Sequence, residues 1–139
     1  MTHMKITVPV LMTIILLLVT GCSGGTKVAN GTDFAGRWLG SAEKTGSSNP
    51  TIRLEISTEG DRIDGNISTL DGTFKEVPLS DAVIEAGTLS FRAVANGETQ
   101  FKDHLYLFSF RRQGGDLVGT WTDLLEGIEG PVSLSLEKP

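Results

Sequence analysis

The chain has one cysteine, Cys22, and two histidines, His3 and His104. A lone cysteine allows no disulfide within the chain. If Cys22 is modified, no thiol remains for a metal or a nucleophile. Basic residues are few and scattered. Arg111-Arg112 is the only basic pair, and the formal net charge is -5. A nucleic-acid binder needs a basic stripe, so that class is set aside. There is no Gly-X-Ser-X-Gly nucleophile elbow, no phosphate-cradling glycine loop and no repeat array. Outside the first 22 residues no segment sustains a 3.6-residue apolar period, which argues against a helical domain.

The N-terminal stretch holds the strongest local signal. Lys5 is followed by an apolar run over Ile6–Val19, broken only by Thr7, Pro9 and Thr13. Its length suits a signal-peptide hydrophobic region and falls short of the roughly 20 apolar residues of a spanning helix. The run ends in Val19-Thr20-Gly21-Cys22. This order of aliphatic residue, small residue, glycine and cysteine resembles the bacterial lipobox. The resemblance implies cleavage before Cys22, a diacylglyceryl group on its sulfur and an acylated, palmitate-type new N-terminus. Two or more acyl chains anchor a protein stably where one does not. It also implies a place in the bacterial cell envelope, and Ser23 in place of Asp implies the outer membrane where two membranes are present. The expected organisation is a signal peptide over 1–21, a lipidated N-terminus and flexible Gly/Ser-rich tether over 22–33, and one domain over 34–139.

That domain reads as about eight strands. Thr51–Thr58 alternates Ile52, Leu54 and Ile56 with Arg53, Glu55 and Ser57, the period of a half-buried strand. Arg62–Thr69 follows after Glu59-Gly60-Asp61, with Ile63, Gly65 and Ile67 on the inner face. Phe74–Glu85 is interrupted by Pro78 and is expected to be irregular or at an edge. Leu89, Phe91, Ala93 and Ala95 share one face, and Asn96-Gly97 reads as a hairpin turn before a long strand over Gln100–Arg112. Leu117–Asp123 and Val132–Lys138 complete the set. Short turns between sequence neighbours predict an all-β, single small antiparallel meander barrel, with a two-sheet sandwich as the alternative.

Two tryptophans mark the first and a late strand, in Gly36-Arg37-Trp38 and Gly119-Thr120-Trp121. Gly-X-Trp near a domain start resembles the signature of lipocalins and their calycin relatives, which include the avidin-like barrels. The resemblance implies an eight-stranded barrel with Trp38 plugging one end. The ligand set of an avidin-type site has no counterpart here, with one Tyr and two Trp in the chain.

No catalytic set assembles from the pattern. His104 neighbours Asp103, but adjacent strand residues point to opposite faces and cannot pair as a dyad, so a solvent-facing or hydrogen-bonded histidine is expected. Asp123, Glu126 and Glu129 cluster at a spacing that matches no Ca²⁺ loop, so a solvated acidic loop and no metal are expected. Leu105–Phe110 is apolar on both faces, and one face must be covered or exposed. The function expected is therefore non-catalytic, with no cofactor. The lipid on Cys22 attaches the protein to the membrane, and the barrel binds a small apolar ligand. Alternatively, a solid barrel docks another envelope protein. Trp38, Tyr106, Phe108 and Trp121 are the candidate contact residues.

Overall fold

A computed structural model of the chain describes residues 31–43 and 49–138. The signal peptide, Cys22 and most of the tether lie outside the described residues. No helix among the described residues is long and apolar enough to cross a membrane. One helical turn, α1 (Gly31–Phe34), precedes nine strands: β1 (Gly36–Ala42), β2 (Thr51–Glu59), β3 (Arg62–Thr69), β4 (Val77–Pro78), β5 (Ser80–Glu85), β6 (Thr88–Val94), β7 (Leu105–Gln113), β8 (Asp116–Asp123) and β9 (Ile128–Leu136).

Every pairing is antiparallel, and the order is β4-β3-β2-β1-β9-β8-β7-β6-β5. The first strand therefore sits between the second and the last, and the sheet curls into a nearly closed barrel. The seam falls within the Phe74–Glu85 stretch. β4 pairs with β3 and β5 pairs with β6, and the Leu79 amide between them continues the β3 side by donating to the Gly65 carbonyl at 3.1 Å. Pro78 pairs with Asn66 on the β3 side but has no amide to donate toward a second neighbour, and pairing with β6 begins only at Ser80. Asp81 at φ 53° and a register shift between Ser80 and Val83 then turn the chain onto its new neighbour. The expected irregular strand is two short ones.

Inner and outer faces follow the alternation. Ile52, Leu54 and Ile56 are buried, as are Leu89, Phe91 and Ala93. The two-sided apolar stretch in β7 resolves in favour of its aromatics. Tyr106, Phe108 and Phe110 point inward and are buried, while Leu105 and Leu107 lie half-buried on the outside. Phe108 stacks on Phe91 at 5.2 Å between ring centres and on Phe110 at 6.3 Å, a geometry that adds to simple area burial. Strand coiling depends on inward glycines. A Cβ on Gly65 would lie 2.0 Å from the Glu55 carbonyl oxygen, and one on Gly119 1.7 Å from that of Ser109. Neighbouring backbones close to those distances only where no side chain intervenes.

One end of the barrel is plugged. Trp38 is fully buried and its indole N–H donates to the Phe34 carbonyl of α1 at 2.9 Å, with Phe34 buried beside it. The Arg112 guanidinium lies 5.3 Å from the Trp38 ring centre and donates to the carbonyls of Asp33 and Gly114. Cation, ring and helical turn thus close this end together.

The long strand expected over Gln100–Arg112 begins only at Leu105. Residues before it form a loop held by Lys102 N–H to Thr99 O and His104 N–H to Phe101 O, with Asp103 at φ 71°. Asn96-Gly97 is not a tight hairpin turn. The Asn96 side chain accepts from the Lys75 amide at 2.8 Å and donates to the Lys75 carbonyl at 3.0 Å. Gly97 packs so closely on Gly72 that a Cβ there would meet its carbonyl oxygen at 1.5 Å. These two residues clamp the β6–β7 loop to the β3–β4 loop across the seam.

Candidate functional site

The end opposite the plug is open. The ends of β1 and β3, the starts of β2 and β7 and the end of β8 bring Ala42, Thr69, Ile52, Tyr106 and Trp121 around a cavity of about 210 Å³. Phe108 forms its floor, and Phe74, Phe101, Gln100 and Asp71 enter from the loops. The loop residues are held by local bonds. Asp71 Oδ1 accepts from the Thr69 hydroxyl at 2.7 Å and the Thr73 amide at 2.9 Å, and the Phe74 amide donates to Thr69 Oγ1 at 3.0 Å. This small turn sets Phe74 edge-on to Tyr106 at 5.2 Å. Trp121 is fixed by its own N–H, which donates to the Glu43 carbonyl at 3.0 Å.

Of the four candidate contact residues, Tyr106, Phe108 and Trp121 converge on this cavity. Trp38 stands at the plugged end, away from them. Phe74, Phe101 and Asp71 were not singled out by strand alternation, because they sit in loops whose fold depends on the clamp described above.

Behind Tyr106 lies a buried polar pair. Asp123 is directly opposite Tyr106 in the β7–β8 register and is fully buried. Its Oδ2 is 2.7 Å from His104 Nδ1, and its Oδ1 accepts from the amides of Leu125 and Glu126 at 2.9 and 3.1 Å. His104 is thus hydrogen-bonded and buried, not solvent-facing. Its partner is 19 residues along the chain, where the strand-neighbour argument could not look. Burial opposes ionisation of Asp123, but the His104 bond and the two amides outweigh it and hold the carboxyl below its usual range. Tyr106 is pushed well above the usual phenol value, first by burial and then by the nearby Asp123 charge.

The expected acidic loop is shorter than its three carboxylates: Asp123 ends β8 facing inward, Glu126 is exposed in the turn, and Glu129 is exposed on β9. His104, Asp123 and Glu126 place one ligand-type atom each within 4.8 Å of one another. Both Asp123 oxygens and His104 Nδ1 are already engaged in hydrogen bonds, so the group reads as a brace for the β8–β9 turn. Among the described residues Asp123 is the sole partner of a His104 ring nitrogen.

No family model, curated protein or solved structure matches the chain. The functional reading therefore rests on the cavity and its surroundings.

Proposed function

We propose that the protein is a lipid-anchored envelope protein whose barrel binds one small apolar ligand at its open mouth, without catalysis. The observation that carries the binding reading is the aromatic-walled cavity of about 210 Å³. Small-molecule sites are concave and mostly apolar, with a few placed polar groups. A dry cavity of about 150 Å³ takes a benzene ring, so this one suits a ligand built on one ring. The deeper barrel is filled by Phe91, Phe108 and Phe110, so the ligand occupies the mouth rather than the axis.

Membrane attachment is supported by the lipobox-like Val19-Thr20-Gly21-Cys22. Intact-mass measurement of membrane-fraction protein tests it. The expected species begins at Cys22 with lipid added, and an unmodified full-length chain would end the idea. Native mass spectrometry of the barrel tests binding. A small ligand that co-purifies, or that titrates in with quenching of Trp121 fluorescence, is expected. Consistent failure across lipids and single-ring metabolites would remove the reading.

A specific feature favours a second reading, that of a scaffold for an envelope protein. Leu125 in the β8–β9 turn is 70% exposed, with Leu124 and Ile128 beside it also exposed. Crosslinking in cells from Ile128 tests this, and no captured partner would leave it without support.

A further inference from the structure

We infer that the loop Asn96–Asp103 is a hinged lid at the mouth of the barrel, and that the Asn96 side chain is its latch. The inference concerns movement of the chain itself and holds with or without a ligand.

The loop is a self-contained unit. Its two ends are joined at the base, where the Ala95 amide donates to the His104 carbonyl at 3.0 Å and the Asp103 amide to the Ala95 carbonyl at 2.8 Å. Within it, the amides of Thr99, Lys102 and His104 donate to the carbonyls of Gly97, Thr99 and Phe101. The Phe101 amide donates to Thr99 Oγ1 at 3.2 Å, and Lys102 Nζ donates to Glu98 at 2.8 Å. A compact surface loop with adjoining ends and bonds of its own can swing as one body. Its base is fixed to the barrel, because the buried His104 meets Asp123 of β8 at 2.7 Å. Asp103 beside it stands at φ 71°, in the left-handed region, so turning it toward a commoner conformation costs little.

The far side of the loop is held in another way. The Lys75 amide donates to Asn96 Oδ1 at 2.8 Å, Asn96 Nδ2 donates to the Lys75 carbonyl at 3.0 Å, and the Gly97 amide donates to the Thr73 carbonyl at 3.1 Å. The Asn96 amide thus stands in for the strand pairing that β4 and β6 lack across the seam. Both of its bonds are exposed, so water can replace either at small net cost. The loop carries Gln100 and Phe101 of the cavity wall, while Thr73 and Phe74 belong to the opposite bank. Release of the latch therefore widens the mouth above Tyr106 and Phe108.

The test is hydrogen exchange of the full chain in lipid nanodiscs, resolved to single amides by mass spectrometry with electron-transfer fragmentation. The Gly97 amide is the reporter. Its acceptor, the Thr73 carbonyl, is untouched by a change at Asn96, and the bond is released when the lid lifts. Asn96→Ala is expected to speed Gly97 exchange about tenfold, after correction for the new neighbour. The Lys102 and His104 amides within the loop, and the Leu54 amide of β2, are expected to keep their rates within about threefold. Unchanged exchange at Gly97 overturns the latch. A rise at Lys102 and His104 equal to that at Gly97 shows a loop that unravels rather than swings, and overturns the lid. An equal rise at Leu54 shows that Asn96 supports the whole barrel, and overturns it too. Should Asn96→Ala fail to fold, the unaltered chain decides the matter in low urea. Gly97 exchange that stays level while Leu54 exchange climbs supports the lid, and equal climbs at both overturn it.

Discussion

Replacing Asp123 by Asn probes the brace behind the cavity. The carboxylate is fully buried and makes three hydrogen bonds, at 2.7 Å to His104 and at 2.9 and 3.1 Å to the Leu125 and Glu126 amides. Asn keeps an oxygen for the two amides but loses the charge. Bonds to a charged group contribute about 1.5–3 kcal/mol against about 0.5–1.5 for neutral ones, so the loss is about 1 kcal/mol at each. Relief of burying a charge offsets part of this, leaving a net destabilisation of about 2 kcal/mol. That is a large fraction of the about 5–15 kcal/mol typical of a domain. The assay is urea unfolding of a chain starting at Ser23, followed by tryptophan fluorescence. The sign with pH follows from the depressed folded pKa of Asp123. Its stabilisation is fully present above the unfolded carboxyl value near 4 and is lost as pH falls through the lower folded value. The gap between wild type and Asp123→Asn is therefore full at pH 7.5 and shrinks below about pH 4. A variant as stable as wild type at pH 7.5, or a gap unchanged down to pH 3, refutes the brace.

Three further outcomes follow. Trp38→Ala empties the plug and is expected to cost about 3–5 kcal/mol, seen as a domain largely unfolded by circular dichroism; an unchanged melting temperature contradicts it. Tyr106 is the only tyrosine, so phenolate absorbance reports it alone. Because its folded pKa is raised, its contribution to stability is complete below the ordinary value near 10 and declines as pH rises past it, so ionisation should appear only with alkaline unfolding; a phenolate signal near pH 10 in the folded protein speaks against the buried placement. Gly119→Ala forces a Cβ onto the Ser109 carbonyl and is expected to cost about 3 kcal/mol, whereas Gly115→Ala, with open space around it, should change melting little by comparison.

Much of the barrel could be read from residue order because its signals are local. Ile52, Leu54 and Ile56 announce a strand by alternation, and Gly65 and Gly119 announce curvature because an inward glycine has few other uses. Pro78 gave away the broken strand for the same reason. The site was less legible. Tyr106, Phe108 and Trp121 stood out as aromatics, but their convergence depends on β7 pairing with β8, a long-range fact. His104 and Asp123 meet only through that register. Asn96-Gly97 misled because its composition suits a hairpin, while the Asn96 side-chain amide serves Lys75 and the bare Cα of Gly97 lets it pack on Gly72, both earlier in the chain. Phe74 owes its place to the Asp71 turn and to that clamp, so no periodicity exposes it.

The plug has a further implication for how the molecule can be joined to other things. Gly31 enters at the Trp38 end, and β9 finishes there too, with Leu136 opposite Trp38. Both ends of the described chain thus emerge on the sealed side. A tag or fused protein added after Lys138 leaves the opposite rim unobstructed, and a linker between the two ends would give a circular permutant with its opening intact.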